Sequence, residues 1–241
     1  MDPPGPRRTR SSGTPAGEKR DAVRVWLLGG FSVHVGSSTI ARDAWRLRKA
    51  TALVKMLALA PGHGLHREQA MDLLWPDLEK EAASNNLRQA IYAVRRILGS
   101  TAGSRYLDSD EGSLVLCPGG GLLVDVEAFE ETAAAARRFR DPGAYRVAIG
   151  LYAGELLPGD LYEAWAEGRR RELRKLYVAL LTELAGLYEE RGEFEAAIEG
   201  LQKVVAEQAT REEAHIIYGC LEEGARRELT VVSAPALRAS A

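Results

Sequence analysis

Cysteine, long apolar runs and clustered metal ligands are all scarce in this chain, and each scarcity closes off a class of protein. The 241 residues include two cysteines, Cys117 and Cys220. Neither sits in a Cys-x-x-Cys or Cys/His pattern, so no disulfide framework is expected and both are read as thiols in a reducing compartment. A membrane span needs about 20 consecutive apolar residues, and the best run, Thr51 to Ala60, is broken by Lys55. The N-terminal stretch is rich in Pro, Gly, Ser and Arg and has no hydrophobic segment, unlike a secretory leader. A cytoplasmic location with no membrane partner is expected. His63-x-x-His66 has ligand-like spacing, but no thiol or carboxylate cluster accompanies it. A turn histidine followed by a capping histidine ahead of Glu68 and Gln69 is the commoner situation. Gly119-Gly120-Gly121 is followed by no Gly-Lys-Ser/Thr and reads as a linker turn. With no nucleophile and base pair either, neither catalysis nor a cofactor or metal is expected.

What is present is an ordinary globular composition, 46% hydrophobic and 27% charged, with a net charge of −2 that conceals an asymmetry. Residues 1–105 carry 17 Lys+Arg against 9 Asp+Glu, and the remainder 15 against 25. A basic half joined to an acidic half suits a nucleic-acid module linked to one that meets proteins. The composition of residues 1–22 reads as a disordered tail.

Alternation at Val23, Val25 and Leu27, and again at Phe31, Val33 and Val35, predicts two strands separated by Gly29-Gly30, continued by Ser38 to Ile40. From Arg46 a helix places Leu47, Ala50, Leu53, Val54 and Leu57 on one face, and a short one over His66 to Trp75 turns Ala70, Leu73 and Leu74 inward. Then comes Ser84 to Gly99, S-N-N-L-R-Q-A-I-Y-A-V-R-R-I-L-G. Leu87, Ile91, Val94 and Leu98 make a narrow apolar stripe at helical period, and Gly99 is the usual stop. The opposite face carries Asn85, Arg88, Gln89, Tyr92 and Arg96, with Arg95 on its flank and no acidic residue in the segment. Such a row suits a DNA groove, where guanidinium and amide forks match base edges and Arg neutralises phosphate. A solvated face that lacks acids is the alternative. Arg105 to Ser109 and Ser113 to Leu116 read as a hairpin turning at Asp110-Glu111-Gly112, and strands, three helices and a closing hairpin describe a winged helix.

Val25 to Phe31, Trp45 with the helix after it, L-W-P-D at Leu74 to Asp77, N-L-R-Q-A at Asn86 to Ala90 and V-R-R-I-L-G at Val94 to Gly99 resemble the DNA-binding domain of the antibiotic regulatory protein (SARP) family of bacterial activators, an OmpR-type winged helix. V-D-V-E-A-F-E from Val124, L-Y-A-G-E-L-L-P-G-D from Leu151 and W-A-E-G-R-R-R-E-L-R from Trp165 resemble the bacterial transcriptional activator domain. The resemblance implies an activator that binds direct repeats in double-stranded DNA and recruits RNA polymerase, often at antibiotic biosynthesis genes. Its DNA contacts would come from Asn85, Arg88, Gln89, Tyr92, Arg95, Arg96 and Arg105. The wing departs from the family: Gly112-Ser113 replaces the usual Gly-Tyr, and Asp110 and Glu111 at the tip repel phosphate.

Read without the family, Glu127 to Phe139, Pro142 to Tyr152, Tyr162 to Arg191, Glu193 to Glu207 and Arg211 to Leu221 are helical runs separated by turn residues. Leu184, Gly186, Tyr188, Ala196 and Ala197 sit much as in a tetratricopeptide repeat. Arg169 to Arg171, beside Glu167 and Glu172, read as a solvated, salt-bridged face. The expected fold is mostly α with small β-sheets, an N-terminal winged helix (23–118) followed by a helical, tetratricopeptide-like domain (122–225) and an irregular tail (226–241). Thr210 to Glu213 is a capping box, and the helix it opens shows Ala214, Ile217, Tyr218 and Leu221 on one face. The hairpin that the family places next is missing here, so the last repeat looks incomplete and a homodimer through this end is expected. The alternative function is a helical-repeat protein scaffold that does not read DNA.

Overall fold

The computed structural model describes residues 22–99, 106–110 and 112–207. The chain is mostly helical with two small sheets, and the fold is built from the patterns above with informative exceptions. Alternating valines make β1 (Val23–Trp26), with Val23 and Val25 buried and Arg24 and Trp26 facing outward. It pairs antiparallel with β2 (Ser32–Val35), which pairs with β3 (Ser38–Thr39). There follow α1 (Arg48–Leu59), β4 (Gly64–His66), α2 (Arg67–Leu74) and α3 (Lys80–Ile97). The hairpin of β5 (Leu107–Asp108) and β6 (Ser113–Leu116) adds to β4 in a sheet of order β4-β6-β5. Three helices closed by this sheet, together with the first sheet, make up the N-terminal half.

Several details differ from the sequence expectations. His66 precedes α2 but makes no side-chain cap, and it belongs to a strand too short for alternation to reveal. Within α2 the inward residues are Ala70, Met71 and Leu74, whereas Leu73 is exposed because the helix rotates one position from the expected face. Leu47 precedes α1 and is exposed rather than on its inner face. The glycine stretch at 119–121 leads straight into β7 (Leu122–Val124), which runs parallel to β1 and completes a sheet of order β3-β2-β1-β7.

The second half stacks α4 (Asp125–Phe139), α5 (Pro142–Leu151), α6 (Ala164–Glu190) and α7 (Phe194–Glu207) as two helical hairpins. In the first turn between helices Arg140 adopts a left-handed φ of 50°, and Asp141 caps α5 by accepting from the Ala144 N–H at 2.9 Å. In the α6–α7 hairpin the close approach uses Gly200, where a Cβ would lie 3.7 Å from that of Ala185, while nothing crowds Gly186. The helix expected over Arg211 to Leu221, Cys220 and both tails lie outside the described residues.

The two halves share one hydrophobic core, running from Val23 through Phe129 to Leu187. Polar contacts fasten the seam. The buried N–H groups of Leu27 and Leu28 donate to the Asp125 carboxylate at 2.9 and 2.8 Å. Leu157 N donates to Leu27 O at 2.8 Å, and Leu28 forms a bridge with Leu156. Gly29, at φ 74°, lies so close to the second half that a Cβ would sit 2.7 Å from Ala153 O, which leaves room for glycine alone. Lys55 of α1 pairs with Asp160 at 2.5 Å, and its Nζ also lies over the Phe31 ring.

Candidate nucleic-acid interface

The helix α3 begins four residues earlier than its acid-free segment, so its first turn carries Glu81, which suits the positive end of a helix dipole. Its inner stripe is Ala83, Leu87, Ala90, Ile91 and Val94. Because these pack on the core, the residues offset by half a turn point outward. Asn85, Arg88, Gln89, Tyr92 and Arg96 are all exposed, Tyr92 to 69%. At 1.5 Å per residue this row extends over roughly 16 Å, with Glu81 at its N-terminal end on the same face. Arg88 Nη1 donates to Asn85 Oδ1 at 3.0 Å, which links the two side chains at the helix surface. Gln89, Tyr92 and Arg96 make no side-chain hydrogen bond or ion pair among the described residues. Their donors and acceptors are therefore available to a ligand.

Arg95, expected among the DNA contacts, is already engaged within the fold. It is half-buried, its Nε donates to Leu107 O at 3.0 Å and its Nη2 to Ser109 Oγ at 2.9 Å. It thus ties α3 to the base of the hairpin. A flanking arginine in the sequence gives no hint of this, because its partners stand 12 and 14 residues further along the chain. The structure predicts that Arg95→Ala frees the hairpin from α3 and removes two hydrogen bonds to a charged group. Two such bonds would be worth about 3–6 kcal/mol if fully buried, and because Arg95 is only half-buried an unfolding free energy in urea lowered by about 1.5–3 kcal/mol, with faster amide exchange at Leu116, is the expected result. An unchanged free energy would mean that water replaces the guanidinium without cost.

At the hairpin tip Ser113 N donates to Asp110 O at 2.8 Å, closing the turn, and Arg67 N donates to Gly112 O at 2.8 Å, tying the tip to the start of α2. Arg105 and Glu111 lie outside the described residues. Beside the row, Lys80 and Glu68 form an exposed pair at 2.7 Å that joins α2 to α3.

The other sequence candidates fall elsewhere. His63 Nε2 stands 3.5 Å from Glu127 Oε1 at the seam, with Nδ1 buried and unpartnered. Among the described residues no group of three or more His, Cys, Asp or Glu is arranged to hold a metal ion, and no helix is long and apolar enough to cross a membrane. Of the three arginines expected on a solvated face, Arg169 pairs with Glu130 at 2.6 Å and with Glu172 at 3.2 Å, and Arg171 lies 3.8 Å from Glu167. Arg170 departs from the expectation. It is buried, and it donates to Leu156 O and Asp160 O, both at 3.0 Å, since its position on α6 turns it toward the seam.

No curated protein matches the sequence. The fold is similar to a solved structure of Mycobacterium tuberculosis EmbR in complex with a low-affinity phosphopeptide, with a TM-score of 0.67 and 19% identity. That similarity covers 91% of this chain and 62% of the other, so the chain spans less than two thirds of the length of the structure it matches. Residues 124–238 match the family model of the bacterial transcriptional activator domain, so from the strand that closes the first sheet onward the chain is similar to the domain that its own sequence motifs suggest.

Proposed function

We propose that the protein is a sequence-specific, DNA-binding transcriptional activator. The observation that carries this reading is the exposed row Asn85, Arg88, Gln89, Tyr92 and Arg96 on α3. A helix of this kind fits the major groove, roughly 12 Å wide. The amide and guanidinium groups read base edges, and Arg96 contacts phosphate. The match of residues 124–238 to the bacterial transcriptional activator domain supports the regulatory class, and in this reading the helical half makes the protein contacts. In this reading residues 23–118 select the promoter repeat and residues 122–225 meet RNA polymerase, as a homodimer on direct repeats.

Selection of binding sites from a randomised duplex library by the full chain tests the reading. Convergence on one motif is expected. Recovery of duplexes with no shared sequence would contradict it and favour a protein scaffold.

A further inference from the structure

A cleft of about 480 Å3 opens where the first turn of α1 meets the stretch between α5 and α6. Trp45, Arg48, Lys49 and Ala52 line one side, and Asp160 and Glu163 the other. Between those two acids in the chain stand Leu161, 52% exposed, and Tyr162, fully exposed. An exposed apolar residue is by itself unremarkable, since much of any protein surface is apolar. What distinguishes this pair is the rigidity of its base. Leu156 and Leu157 are fully buried, and Leu157 holds a left-handed φ of 49°. The buried Arg170 clasps the carbonyls of Leu156 and Asp160, and the Asp160 carboxylate is paired with Lys55. A tyrosine displayed on a braced loop loses little freedom on binding, which is the property of an interface anchor.

Charge indicates what the cleft receives. Lys55 and Asp160 neutralise one another, whereas Glu163, whose Oε2 accepts from Trp165 Nε1 at 3.0 Å, has no cationic partner among the described residues and stands on the opposite wall. Arg48 and Lys49 have no ion-pair partner among the described residues, so they leave the α1 wall cationic. Leu47, just before them, is exposed to 44%. Phosphate would use the cations but has no use for Leu47, Leu161 and Tyr162, whereas an acidic protein segment with an apolar residue uses both.

We propose that this cleft docks an acidic segment of a protein partner, with an apolar side chain against Trp45 and Ala52, carboxylates facing Arg48 and Lys49, and Leu161 and Tyr162, which stand in the chain between Asp160 and Glu163, flanking it. Resting on the function proposed above, the partner is RNA polymerase.

The test uses the full chain and purified bacterial RNA polymerase holoenzyme immobilised on a sensor. Leu161→Ser with Tyr162→Ser, and separately Arg48→Glu with Lys49→Glu, are each expected to weaken polymerase binding at least tenfold. Affinity for the selected DNA site should be unchanged in both, and melting temperature should hold because Arg48, Leu161 and Tyr162 are exposed and Lys49, half-buried, has no ion-pair partner among the described residues. Unchanged polymerase binding in both variants would overturn the proposal. So would a parallel loss of DNA affinity in the charge-reversed form, which would make the wall a phosphate contact. Light scattering that shows a wild-type dimer and a monomeric Leu161→Ser, Tyr162→Ser form would assign the cleft to a second copy instead. A wild-type chain that selects DNA while its variants bind polymerase normally overturns this surface alone. One that binds neither DNA nor polymerase overturns the function proposed above with it.

Discussion

Alanine at Asp125 is expected to destabilise the fold by about 2–6 kcal/mol, since each buried donor left without a partner costs about 1–3 kcal/mol. The two donors are the N–H groups of Leu27 and Leu28, which are 0% and 4% exposed and have the Asp125 carboxylate as their acceptor. Domains of this size are stable by only about 5–15 kcal/mol, so the loss would be a large share of the whole. Urea unfolding of the wild type and the variant measures it. Asp125→Asn keeps one acceptor oxygen and is expected to fall between them. Burial raises the Asp125 pKa above its ordinary value, outweighing the backbone N–H groups of Leu28, Leu27 and Val126, which pull it down. A raised folded pKa gives stability that is complete below the ordinary carboxyl value and declines as pH rises through the raised one. The wild type should show that decline across mildly acidic pH and Asp125→Asn should lack it. A loss under about 0.5 kcal/mol in Asp125→Ala, within the range of ordinary surface changes, would mean that the seam is not held here.

On α3 the expected effects divide by role. Arg88→Ala or Gln89→Ala should each cost roughly 1–3 kcal/mol at one base position and relax the preferred sequence there. Arg88 is expected to show the coupling directly, because it is hydrogen-bonded to Asn85, so the double variant with Asn85→Ala should cost less than the sum of the two single changes. Arg96→Ala should instead weaken every sequence alike and lower the salt slope by about one. Site selection repeated with each variant separates these outcomes. If neither Arg88→Ala nor Gln89→Ala changes the selected motif, the row does not read bases.

Much of this was legible in the sequence because it depends on local periodicity. The strands at Val23 and Ser32, the helices α1 and α4 to α7, and the outward row on α3 follow from spacing alone. What escaped depends on contacts between distant residues. The strands β4 and β7 have three residues each, too few to show alternation, and exist because β6 and β1 offer free edges. Arg95 reads as one more exposed cation until the hairpin base is placed against it. Arg170 reads as solvated until the 156–160 stretch folds over it. Asp125 opens α4, the position of an ordinary first-turn acid, and nothing local shows that its carboxylate serves N–H groups 97 and 98 residues away.

The central claim, that α3 gives this chain sequence-specific hold on DNA, is tested most directly by a salt titration of the full chain on the selected duplex and on its scrambled counterpart. Logarithmic affinity should fall linearly with logarithmic salt for both, by about 0.9 for each phosphate neutralised. The selected duplex should stay tighter by at least about a thousandfold at physiological salt. Equal affinity for the two duplexes, or no binding to either at the lowest salt, would contradict the account.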